Sequence, residues 1–160
     1  MASRTSAGVV FFRQAIDGQL EVLLVHPGGP FWASKDEGAW SIPKGEYATG
    51  EDPLSAAERE FAEEVGVALP PTERIPLGEI QQAGGKRVTA WAVRGDLDPS
   101  QATSDSFEIE WLPRSGQIKT FPEVDRVAWF FLEEARGRLL KAQTPFLDRL
   151  ERMIRGEPLL

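Results

Sequence analysis

Four acidic residues fall within the seven positions from Glu58 to Glu64. Three of them, Glu60, Glu63 and Glu64, stand at i, i+3 and i+4, so on a helix their carboxylates converge on one face. Glu60 and Glu64 are a like-charge pair one turn apart, which left bare costs a helix about 0.2–0.5 kcal/mol. Only Arg59 supplies a positive charge close by. Such crowding becomes favourable around a hard divalent cation, which prefers oxygen ligands. Carboxylates that hold a cation beside a glycine-started loop suit substitution at phosphorus. The cation neutralises phosphate oxygens and lowers the pKa of a bound water.

The helix that must carry these residues is bounded at both ends. Asp52 is a good N-cap, Pro53 fits the first helical position, and Gly66 fits the position after the last turn. The spacing therefore predicts a helix over Pro53–Val65. Leu54, Ala57, Phe61 and Val65 share its other face and should pack on a core.

The wider frame is more specific than the cluster. Gly45, Glu51, Arg59, Glu60, Phe61, Glu63, Glu64, Gly66 and Val67 resemble the Nudix box, G-x5-E-x7-R-E-U-x-E-E-x-G-U, at every fixed position. Phe61 is aromatic where a bulky aliphatic residue is usual, and its apolar role is kept. The resemblance implies an α/β/α sandwich with the box as a loop–helix–loop beside a mixed sheet. It also implies a magnesium-dependent pyrophosphohydrolase, with manganese as a possible substitute, acting on a nucleoside diphosphate linked to another moiety. Carried over by position, Glu60, Glu63 and Glu64 are metal ligands, joined by the Gly45 carbonyl. Arg59 orients a glutamate, Glu51 supports it, and Glu64 is the first choice to activate the attacking water.

Residues outside the box complete the candidate site. Glu123 in FPEVDRVAWFFLEEA resembles the extra glutamate of diadenosine tetraphosphate hydrolases in this family, with Glu108 and Glu110 as other candidates. Lys44, in SIPKGE, resembles the dinucleoside polyphosphate and cap-hydrolysing branches, and its charge suits a phosphate, as do those of Lys86 and Arg87. Trp32, Phe31 or Tyr47 could stack a nucleobase. Trp40 and Trp129 are expected in the core, and His26 at a strand end.

The favoured substrate is therefore a dinucleoside polyphosphate such as diadenosine tetraphosphate. The alternatives are a nucleoside triphosphate pyrophosphohydrolase and a nucleotide-sensing module without turnover. An isoprenoid diphosphate isomerase is disfavoured, because that chemistry usually employs cysteine and this chain has none.

Composition sets the outer bounds. The chain has 160 residues, 41% of them hydrophobic, enough for one domain over 1–160 with a real core. Without cysteine there are no disulfides or thiolate metal sites, and one histidine makes no zinc site. The apolar run near the N-terminus is too short for a signal peptide or membrane span, so a cytoplasmic protein is expected. A formal charge of −7 argues against general nucleic-acid affinity.

In chain order, Ala7–Arg13 and Leu20–His26 read as a hairpin around Asp17-Gly18, and Trp40–Pro43 as a third strand leading into Lys44. Ile75–Gln82 and Lys86–Arg94 read as a second hairpin, and Arg126–Phe131 as a last strand. Helices follow over Leu132–Lys141 and Pro145–Arg155. Between Gly95 and Pro122 periodicity fails, except where Phe107, Ile109 and Trp111 alternate with Glu108 and Glu110. The order of elements makes an α+β domain.

Overall fold

The computed structural model describes residues 5–158. Its main sheet runs in the order β4-β5-β1-β2-β8, from Arg74–Gln81 (β4), Arg87–Arg94 (β5), Thr5–Gln14 (β1), Leu20–Pro27 (β2) and Val124–Phe131 (β8), with Lys44–Glu46 (β3) also paired to β1. β1 runs parallel to β5 and antiparallel to β2 and β3, so the sheet is mixed.

Both faces of this sheet are covered, which is why β1 and β2 read as unbroken apolar runs rather than alternating ones. Val10 and Phe12 of β1, with Val22 and Leu24 of β2, turn to one side. There they meet Phe146, Leu147 and Leu150 of α3 (Pro145–Ile154). Ala7, Val9 and Phe11, with Leu23 and Val25, turn to the other side, against Ala56, Ala57, Phe61 and Val65 of α1 (Pro53–Val65). The result is the expected α+β sandwich. Leu54 stays half-buried and Ala56 takes its place in the packed row.

α1 has the predicted bounds for the predicted reasons. Asp52 accepts a hydrogen bond from Ser55 N at 3.0 Å, and Gly66 closes the helix at φ 82°, in the left-handed region.

Three expectations are corrected. Trp40–Pro43 is not a strand: it makes single bridges, Val25 to Ser41 and Trp40 to Leu139, and the strand begins at Lys44. β1 and β2 pair only at one end, over Phe12–Gln14, and this segment fills the gap beyond. It bonds Val25 on one side and then Val9 on the other, too briefly on either for a strand run. The second correction concerns the stretch without periodicity, which contains a separate hairpin of β6 (Ser106–Glu110) and β7 (Ile118–Pro122). Third, the helix expected over Leu132–Lys141 ends at Arg138 (α2), with Leu139 extended.

Candidate active site

β3 and α1 bring the two halves of the motif together. Gly45 lies opposite the helix, where a Cβ would sit 2.1 Å from the Glu60 carboxyl carbon. Only glycine lets that carboxylate lie against the loop. One residue earlier, Lys44 N donates to Glu64 Oε1 at 3.1 Å.

The carboxylates are held in an uncomfortable state. Burial pushes the Glu64 carboxyl up to about 8, and the charges of Glu60 and Glu123 push the same way against the Lys44 amide and ammonium. Burial and Glu63 likewise raise Glu60, with Arg59 opposing. Glu123 is raised by burial, then by Asp105 and Glu63. These mutual repulsions place Glu60, Glu63, Glu64 and Glu123 within one electrostatic neighbourhood.

Arg59 is the counterweight. Its guanidinium reaches Glu51 at 3.1 Å, Glu60 at 3.1 Å and Glu63 at 3.5 Å. Burial works against its charge, but the three glutamates outweigh that and raise its pKa. Among the described residues no three acidic or histidine side chains stand close enough to cage an ion; Glu51, Glu60 and Glu63 are gathered around Arg59. Hard oxygen donors under mutual repulsion, beside a glycine that leaves room for them, still fit a divalent cation.

Lys44, with Lys86 near it, brings positive charge next to Glu64. Burial lowers the Lys44 pKa and the nearby Lys86 charge lowers it further, while Glu64 opposes both. A cavity of about 460 Å³ opens beside Glu64, lined further by Thr103, Ser104, Arg126, Trp40 and Phe130.

The remaining candidates are spread more widely. Trp32 is half-buried, with the Lys35 ammonium 5.2 Å from its ring centroid. Phe31 is 58% exposed and meets Trp111 edge-on at 5.4 Å. Tyr47 packs against the α1-side core, and Arg87 is exposed on β5. Glu108 and Glu110 lie on the open face of β6, where Glu110 accepts from Arg114 N at 2.8 Å. Trp40 and Trp129 pack with the core.

Sequence reasoning missed how Glu123 is fixed. Its N–H donates to Asp105 O at 2.7 Å, its carbonyl accepts from Gly28 N at 2.9 Å, and Asp105 N donates to Glu63 O at 3.1 Å. The chain thus ties the end of α1 to Glu123 through Asp105. A Cβ on Gly28 would fall 1.9 Å from Pro122 O, so that close approach needs glycine.

The NUDIX domain family matches residues 2–150. No curated protein matches the chain. Among solved structures, a Caenorhabditis elegans Ap4A hydrolase binary complex superposes with TM-score 0.64 at 22% identity, covering 96% of this chain and 98% of that one. A mutT/nudix family protein from Listeria innocua gives 0.62 at 17% identity, covering 98% and 96%. A NUDIX hydrolase from Nitrosomonas europaea gives 0.61 at 20% identity, covering 98% and 91%. At these identities the structures speak for the fold, whereas the family match spans nearly the whole chain. The protein belongs to the NUDIX family, and its enzyme class is that of the family's pyrophosphohydrolases.

Proposed function

We propose that this protein hydrolyses a phosphoanhydride bond in a nucleoside diphosphate-linked substrate, with a dinucleoside polyphosphate such as diadenosine tetraphosphate favoured. The reading rests on one observation above the others. The Glu64 carboxyl is half-buried, tied to Lys44 N, and faces other carboxylates beside a cavity. Glu60, Glu63, Glu64 and the Gly45 carbonyl would hold Mg2+, or Mn2+ in its place. Such an ion neutralises phosphate oxygens and lowers the pKa of a bound water.

The chain's own residues do the rest. Glu64 takes the proton of the attacking water as its oxygen bonds to phosphorus and the anhydride P–O bond breaks. Arg59 keeps Glu60 and Glu63 in place, and Glu123 adds a carboxylate from outside the motif. Lys44, Lys86 and Arg87 meet phosphate charge, while Trp32, Phe31 and Tyr47 offer aromatic surface to a base. The chain acts as a single domain over 1–160 in the cytoplasm. Among the described residues no helix is long and apolar enough to cross a membrane.

A substrate panel with Mg2+ and with Mn2+, its products identified by mass, tests the assignment. Asymmetric cleavage of diadenosine tetraphosphate into ATP and AMP is expected. Indifference to dinucleotides with rapid release of pyrophosphate from triphosphates would replace the substrate. Unchanged ligand-linked behaviour in a Glu63→Gln, Glu64→Gln variant would identify a sensor.

A further inference from the structure

His26 is the one histidine of the chain, and it is fully buried at the end of β2. Both of its ring nitrogens are engaged. Nδ1 lies 2.7 Å from Asp125 Oδ1, and Nε2 donates to the Lys35 carbonyl at 2.6 Å. Trp40 packs edge-on against the ring at 5.2 Å, the two planes inclined at 67°. A ring gripped this closely has little freedom to turn.

Its partner Asp125 sits at a defect in the sheet. β2 and β8 pair His26 with Arg126 and then Pro27 with Val124, so Asp125 is skipped in the register. An extra residue of this kind changes which face the following side chains take, and re-aims those beside it. Here Val124 joins the α1-side core instead of pointing away from it. The residue before it, Glu123, is tied through Asp105 to the Glu63 carbonyl at the end of α1, and its charge is felt at Glu60 and Glu64.

We propose that His26 is a positioning residue that, through Asp125, holds the β8 bulge in the one register that aims Glu123 at the box carboxylates. The loop after β2 is the third party to the clamp, because the same ring holds Lys35 O while Gly28 N holds Glu123 O. The inference rests on the proposed role of Glu123 and adds to it the residues that set its direction.

A double-mutant cycle separates this role from plain stability. The Asp125 side chain is 31% exposed, so Asp125→Ala removes the clamp without opening a core cavity, and His26→Gln is the companion variant. Each is made alone and with Glu123→Ala. They are assayed with diadenosine tetraphosphate and Mg2+, and separately for Mn2+ affinity by electron paramagnetic resonance without substrate. Asp125→Ala is expected to lower kcat and Mn2+ affinity about 10- to 100-fold, the usual cost of losing a supporting contact, with KM little changed. In the Glu123→Ala background the same substitution should change either quantity by less than about 2-fold.

An equal loss in both backgrounds would overturn the proposal, as would an Asp125→Ala protein with unaltered turnover and Mn2+ affinity. A Glu123→Ala protein unaltered in both would overturn it too. If the protein turned over no nucleotide but the Mn2+ cycle still failed to add, the clamp would stand and the hydrolytic reading would fall.

Discussion

α3 and α1 each seal one face of the sheet with a short apolar row, Phe146, Leu147 and Leu150 against one, Ala56, Ala57, Phe61 and Val65 against the other. Their outer sides differ. On α3, Asp148 and Glu151 are met by Arg136 of α2, each at 2.7 Å, and Arg155 adds a second contact to Glu151 at 3.3 Å. On α1, one arginine faces Glu51, Glu60 and Glu63, while Glu64 is half-buried with its carboxyl pushed up to about 8. Both helices solve the same packing problem, so packing does not require the imbalance on α1. Charges left in conflict beside a cavity mark the helix whose outer face has work beyond covering the core.

The largest expected effect sharpens that contrast. Glu64→Gln should lower turnover by about 10²–10⁴-fold, the range for losing a positioned acid–base group, while Glu151→Gln on α3 leaves turnover intact; steady-state kinetics of the two variants checks this. Next come the apolar rows, where the helices should behave alike. Phe61→Ala and Phe146→Ala should each cost about 3–5 kcal/mol in denaturant unfolding. A much smaller loss for Phe61 would mean that α1 is held by its loop contacts rather than by its core.

Acidity should then divide the two faces. A carboxyl with a higher pKa folded than unfolded binds its proton more tightly in the native state. The stability from Glu64 is therefore full below its ordinary 4.5 and is lost as pH rises towards about 8. The melting temperature of the metal-free protein should fall across that window. Glu64→Gln should flatten the fall, and Mg2+ should offset it; an unchanged slope in the variant would place the titration elsewhere. The smallest effect belongs to α3, where Arg136→Ala breaks partly exposed pairs. It should cost only about 0.2–1 kcal/mol in a chemical melt, without touching turnover.

What was legible in the sequence follows from how local each signal is. The caps of α1 and the spacing of Gly45, Arg59, Glu60, Glu63 and Glu64 lie within one short stretch, and their geometry follows from helical periodicity. β7 left no such trace, because Lys119, Thr120 and Pro122 are all exposed and the hairpin stands apart from the main sheet. Trp40–Pro43 misled because its apolar residues are buried at a crossing between β2 and β1 rather than along one partner. His26 and Asp125 are 99 residues apart, so nothing near either one hints at the other. Tyr47, read as a stacking surface, lies partly inside the α1-side core, which its neighbours in sequence do not show.

The parallel pairing of β1 with β5, from Thr5 with Arg87 to Phe12 with Arg94, has a consequence for assembly. The strand that anchors Lys44 and Gly45 leaves the ribosome well before its long lateral partner, which emerges only after α1 and β4 have been made. Distant pairings of this kind form slowly. The strand pairing behind the carboxylate pocket is therefore completed only after the helix that supplies most of its acids has been made.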